Sequence, residues 1–272
     1  MVIRTETYRD LEEDIATICD CAEEFIYERI SDFDSQCIDG FDSDWDRFYE
    51  LIDQFVDENA DLSLVDGVYV YHLARHFSEP TELLPLKELL LTRNPFSAFL
   101  SDNDILFKEQ GGQLVFYHKR HLITPQQLLS SGHHQLLAKR LGYLGEADFC
   151  INGFTFWPDI EKTTDGYYND LDFGPEVIGC IGRYIGNELW REYRKKTKYY
   201  GVVFKVPVNE IIFDGVDGIE TQEDKARYLV KYSLLTLHGC YFHCPSSTNN
   251  PMIRLKDDSK AKVDHCILIK EQ

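Results

Sequence analysis

The first quarter of this 272-residue chain is so acidic that it can fold only with most of its charges facing water. Between Met1 and Val65 there are twenty Asp and Glu against four Lys and Arg, a net of −16. The whole chain carries −19, so residues 66–272 are close to neutral. Apolar residues are threaded through the acids. Leu11, Ile15, Ile18, Ala22, Phe25, Ile26 and Ile30 recur at three-four spacing, which predicts an amphipathic helix over 7–30. Residues 31–43 read as a turn-rich acidic connector. Trp45, Phe48, Tyr49, Ile52, Phe55 and Val56 then mark a second helix. The pattern predicts an acidic helical module over 1–65, joined to a globular body over 66–272. The acids serve either as a solvated helical face or as a surface for a basic protein partner. Deleting a module of that kind would leave a soluble body.

The body reads as α+β, a central mixed or antiparallel sheet with flanking helices, because strands and helices do not alternate regularly. Asp66-Gly67 is a turn signal ahead of VYVYHLARH (68–76), a β-branched and aromatic strand. ILFK, Gly111-Gly112 and QLVFYH make a hairpin over 104–123. Residues 125–141 and 175–196 are helical in pattern, as are 222–238. CINGFTFW (150–157), YYGVVFKVPVNEIIFDG (199–215) and the closing VDHCILIKEQ read as strands. The longest polar loop is DIEKTTDGYYNDLDFGPE, residues 159–176. A composition 43% hydrophobic and 13% aromatic supplies a core and separates the chain from disordered sequences.

Two of these segments resemble the ADP-ribosyltransferase fold. VYVYHLARH is similar to its opening strand, where a His or Arg holds the nicotinamide ribose of NAD. YYGVVFKVPVNEIIFDG is similar to a later strand of its split sheet. The resemblance implies NAD as a substrate, with ADP-ribose passing to a macromolecule as nicotinamide leaves. By the match, His72 and Arg75 bind NAD, and Tyr167 or Tyr168 stacks on the nicotinamide. The catalytic acid that stabilises the cationic ribose centre is Glu176, or Asp264 on the last strand. No metal is expected. The alternative reading is a non-enzymatic acidic interaction or inhibitor protein.

Other chemistries find less support. HGCYFHC (238–244) and DHC (264–266) offer His238, Cys240, His243, Cys244, His265 and Cys266 as zinc-type ligands, but their spacing matches no standard finger. A P-loop, a nucleophile elbow and a dinucleotide-binding GxGxxG after a strand are absent. A pI near 4.8 argues against binding to a nucleic-acid backbone. No apolar run is long enough to span a bilayer, and no apolar leader opens the chain. Eight unevenly spaced cysteines suit a reducing compartment, and the reading is of a cytoplasmic protein without membrane partners.

Overall fold

The computed structural model describes residues 1–38, 43–130, 135–145, 147–162, 168, 171–186, 188–243 and 250–271. The fold is α+β. Among the described residues there are eleven helices, a mixed and largely antiparallel sheet of eight strands, and a separate antiparallel sheet of three. The chain divides into two compact units: residues 1–71, 153–163 and 205–254, and residues 72–152, 164–204 and 255–272.

In the first unit, α1 (Tyr8–Ile18), α2 (Glu23–Cys37) and α3 (Trp45–Asn59) turn apolar stripes inward. The stripes are Leu11, Ile15 and Ile18; Ile26, Ile30 and Phe33; and Phe48, Ile52 and Phe55, all buried. Side-chain caps start two of these helices. Thr7 accepts from the Asp10 amide at 3.1 Å and Asp44 from the Arg47 amide at 3.0 Å. The single helix expected over 7–30 is two helices. Asp20 adopts a left-handed conformation (φ 46°), and the Cys21 amide bonds back to the Ala16 carbonyl at 3.0 Å. That is the geometry of a helix C-terminus, with an aspartate where glycine is more usual. α2 then runs to Cys37, through part of the expected connector.

These three helices do not stand alone. A fourth helix, Gln222–Tyr241, belongs to the same unit and packs against all three. Leu229, Val230, Leu234, Leu235 and Leu237 of that helix are buried. The boundary expected after residue 65 thus differs from the division the contacts make, which joins residues 1–65 to 205–254. The physical reason is that an amphipathic helix needs an apolar partner, and here that partner lies far along the chain. The unit is completed by β1 (Val2–Ile3), parallel to the start of β2 (Gly67–His76), and by β7 (Asn152–Phe154), which meets β2 at Tyr71 and Phe154. A Cβ at Gly153 would sit 2.7 Å from Val70 Cγ1 and 2.8 Å from the Tyr71 carbonyl, so only glycine lets these strands approach.

The second unit contains the end of β2 and most of β8 (Lys198–Pro207). β11 (Ala261–Lys270) pairs antiparallel with β8 from Val263 to Lys270, with register shifts near either end. The hairpin is as the sequence suggests. β4 (Ile105–Gln110) and β5 (Gln113–His118) are joined by Gly111 and Gly112, both at positive φ (59° and 81°), and β6 (His121–Ile123) adds a third strand. The helix expected over 175–196 is broken by Gly186 (φ 68°) into Glu176–Ile185 and Leu189–Lys196. Phe96, Phe99, Phe107, Phe116, Ile178 and Tyr193 lie in this unit's apolar core. No helix among the described residues is long and apolar enough to cross a membrane.

Removing residues 1–65 strips the helix Gln222–Tyr241 of its apolar cover. The truncated chain is expected to lose its near-ultraviolet circular dichroism and to bind a hydrophobic dye. A truncated chain that stays soluble and unfolds cooperatively would show the division at residue 65 to be real.

Candidate functional site

His72, Arg75, Tyr168, Glu176 and Asp264 all fall in the second unit. Tyr167 lies outside the described residues. β2 decides how the first two are presented. Its burial alternates, with Tyr71, Leu73 and Arg75 buried and His72, Ala74 and His76 partly exposed. Successive side chains of a strand point to opposite faces, so His72 and Arg75, three residues apart, face away from each other.

Arg75 is buried with no exposed side-chain surface, and every guanidinium nitrogen is bonded within the protein. Nη2 donates to Asp172 Oδ1 at 2.6 Å, and Nε to the Asp172 carbonyl at 2.6 Å and to Oδ1 at 3.0 Å. Nη1 donates to the Thr197 carbonyl at 2.6 Å. The Arg75 carbonyl in turn accepts from the Tyr193 hydroxyl at 2.7 Å. Asp172, in the short 3₁₀ turn Leu171–Phe173, also takes Arg194 Nη2 at 2.7 Å and Lys270 Nζ at 3.0 Å on its second oxygen. Burial alone would raise the Asp172 carboxyl. The hydrogen bonds from Lys270 and Arg75 and the charges of Arg75 and Arg194 outweigh it and hold the carboxyl below its ordinary value. Tyr199 shares this neighbourhood, and its hydroxyl donates to the Tyr168 carbonyl at 2.8 Å. Arg75 and the backbone of Tyr168 are therefore brought into one polar cluster.

His72 lies on the other face. Its Nδ1 is 2.6 Å from the Asn152 carbonyl, so Nδ1 carries the proton and donates. Burial lowers its pKa from the ordinary histidine value, and the carbonyl opposes this without cancelling it. His76, with its ring 6.5 Å from that of His72 and 6.4 Å from that of Tyr200, is lowered to about 3 by burial and by His72. Its Nε2 is buried with no hydrogen-bond partner.

Glu176 opens its helix and is 40% exposed. Arg140 Nε donates to it at 3.1 Å, while Arg140 Nη1 bonds Asp148 at 2.5 Å. Asp264 is also part exposed, with His265 Nδ1 at 3.1 Å. His72 is thus tied to Asn152, while Glu176 is joined to Asp148 only through Arg140.

Among the described residues, the His/Cys segments form no group with metal-ligand spacing. His238 is buried in the first unit, its Nε2 2.7 Å from Asp34 Oδ1 and its ring 4.5 Å from that of Phe48. His265 and Cys266 belong to the second unit, and Cys244 lies outside the described residues. Sequence reasoning missed a different group, in which donor atoms of Asp148, Cys150 and Asp257 lie within 4.8 Å of one another. It is held by the protein's own donors: Arg140 on Asp148, the Cys150 thiol on Asp148 at 3.2 Å, and the Phe149 amide on Asp257 at 3.2 Å. Two clefts stand out, both in the first unit. One of about 600 Å³ is lined by Glu13, Asp20, Cys21, Glu23 and Glu24; the other, of about 220 Å³, by Arg227, Tyr228, Lys231 and Tyr232. No family model, curated protein or solved structure matches this chain.

The two histidines give a pH dependence with a definite sign. A histidine held neutral in the fold binds its proton more readily when unfolded. Its contribution is intact above the ordinary histidine value of 6.5 and is lost as pH falls toward the folded value, about 3 for His76. Urea unfolding between pH 7 and pH 4 is expected to show a steeper loss of stability in the parent than in His76→Gln. Parallel slopes would mean that His76 is not held neutral.

Proposed function

We propose that this chain is an interaction protein whose acidic helical surface binds a basic protein partner. One observation carries the reading. Apart from Asp14, which Arg4 pairs, the buried faces of α1, α2 and α3 are apolar, while Asp20, Glu23, Glu24, Glu28, Asp46 and Glu50 are exposed and form no ion pair among the described residues. Asp20, Glu23 and Glu24 line one cleft, where like charges repel and a cationic partner relieves that repulsion. The field they produce favours fast, salt-sensitive association. The rival reading, ADP-ribosyl transfer from NAD, asks His72 and Arg75 to hold one ligand and Glu176 to face a cationic ribose. Those three groups bond instead to Asn152, Asp172 and Arg140. In favour of that reading stands only the shared cluster of Arg75 and Tyr168.

Binding of a lysine- and arginine-rich peptide to the full chain tests the proposal. Affinity is expected to fall steeply with added salt, because exposed charges are screened over about 8 Å at physiological ionic strength. Glu24→Lys, Glu28→Lys and Glu50→Lys together are expected to weaken binding at least tenfold and flatten the salt dependence. Binding that ignores both salt and these changes would contradict it. Release of nicotinamide from NAD by the full chain would replace it with ADP-ribosyl transfer.

A further inference from the structure

The polar cluster around Asp172 is not balanced in charge. One carboxylate, 7% exposed, receives three cations. Arg75 neutralises it from inside, with no exposed surface of its own. Arg194 and Lys270 then both aim at the same outer oxygen, Oδ2, which places their nitrogens within ~6 Å of each other, a spacing that the oxygens of one phosphate can bridge. Neither cation is ion-paired to another carboxylate among the described residues. Two like charges gathered over a carboxylate that is already neutralised repel each other. An anion on the solvent side would remove that repulsion.

The cations are also reachable. Arg194 is 30% exposed and Lys270 49%, so each has donors beyond the one given to Asp172. Beside them Phe173 is 47% exposed. The Arg194 guanidinium lies 5.7 Å from its ring centroid, and Trp190 packs against it edge-on at 5.6 Å. A half-exposed aromatic ring next to two convergent cations is the pairing that a phosphate ester of a planar base would use.

We propose that Arg194 and Lys270 form an anion site that takes a phosphate group, with Phe173 as a platform for a base attached to it. Arg75 and Asp172 act behind the site as positioning residues. Asp172 orients both cations and does not touch the ligand. The site is independent of the acidic helical surface, and its failure would leave the partner-binding reading untouched.

Titration calorimetry of the full chain with inorganic phosphate and with AMP, in a low-salt buffer, tests this. Saturable binding is expected for both, weakened about tenfold or more by Lys270→Gln, because a hydrogen bond to a charged group contributes roughly 1.5–3 kcal/mol. Lys270 is half-exposed, so that variant is expected to keep the parent's circular dichroism, which separates lost binding from lost folding. AMP binding tighter than phosphate, with the difference abolished by Phe173→Ala, supports a nucleotide. Equal affinities support the phosphate site and remove the platform. No saturable binding of either ligand at millimolar concentration, or binding that Lys270→Gln leaves unchanged, would overturn the proposal.

Discussion

The ion pair between Arg75 and Asp172 is the constraint on which the second unit depends. A guanidinium with no exposed surface is unfavourable unless every donor finds an acceptor. The acceptors come from distant parts of the chain: the turn at Asp172 and the carbonyls of Arg194 and Thr197 at the end of a helix. Lys270 adds the last strand. One buried cation therefore fixes the end of β2, the 171–173 turn, the helix Leu189–Lys196 and the start of β8 to one another. Moving any of them would leave a charge or a carbonyl unsatisfied, at a cost of several kcal/mol. The same arrangement has a chemical consequence, since orienting Asp172 inward leaves two further cations gathered at its outer oxygen.

The first unit is built on the opposite principle. Most of its charges stay in water, with Asp14 the buried exception paired to Arg4, and its cohesion is mainly apolar, centred on the helix Gln222–Tyr241. Two of that helix's cations pair with α3: Arg227 with Asp53 and Asp57, and Lys231 with Asp53. Pairs of this partly exposed kind contribute little each, about 0–1 kcal/mol. They neutralise part of α3, while the acids at the α1–α2 turn and along α2 keep their charge available.

Much of the fold was legible. Gly111-Gly112 between alternating strands specifies a two-residue hairpin turn, because both positions need positive φ. The period of Phe48, Ile52 and Phe55 specifies α3. What escaped was set by tertiary contacts. Asp20 terminates α1 with a residue that is no strong break signal. The helix at 222–241 is apolar because α1, α2 and α3 cover it, and no local pattern tells which elements do so. The site shows the same limit. Arg75 reads from composition as a surface or ligand-binding cation, yet its parity with Tyr71 and Leu73 on a strand already assigns it to the buried face. Its separation from His72 by three residues already places the two on opposite sides. Asp172 carried no such signal, being one acid among several in a polar loop.

The central claim is that the Arg75–Asp172 pair holds the second unit together, and equilibrium unfolding of Asp172→Asn tests it most directly. That change keeps the shape and removes the charge facing a buried guanidinium. The expected loss is about 3–5 kcal/mol, the usual cost of leaving one partner of a buried pair uncompensated, with much of it recovered when Arg75→Met is added. A stability within about 0.5 kcal/mol of the parent, as for an ordinary surface substitution, would contradict the claim.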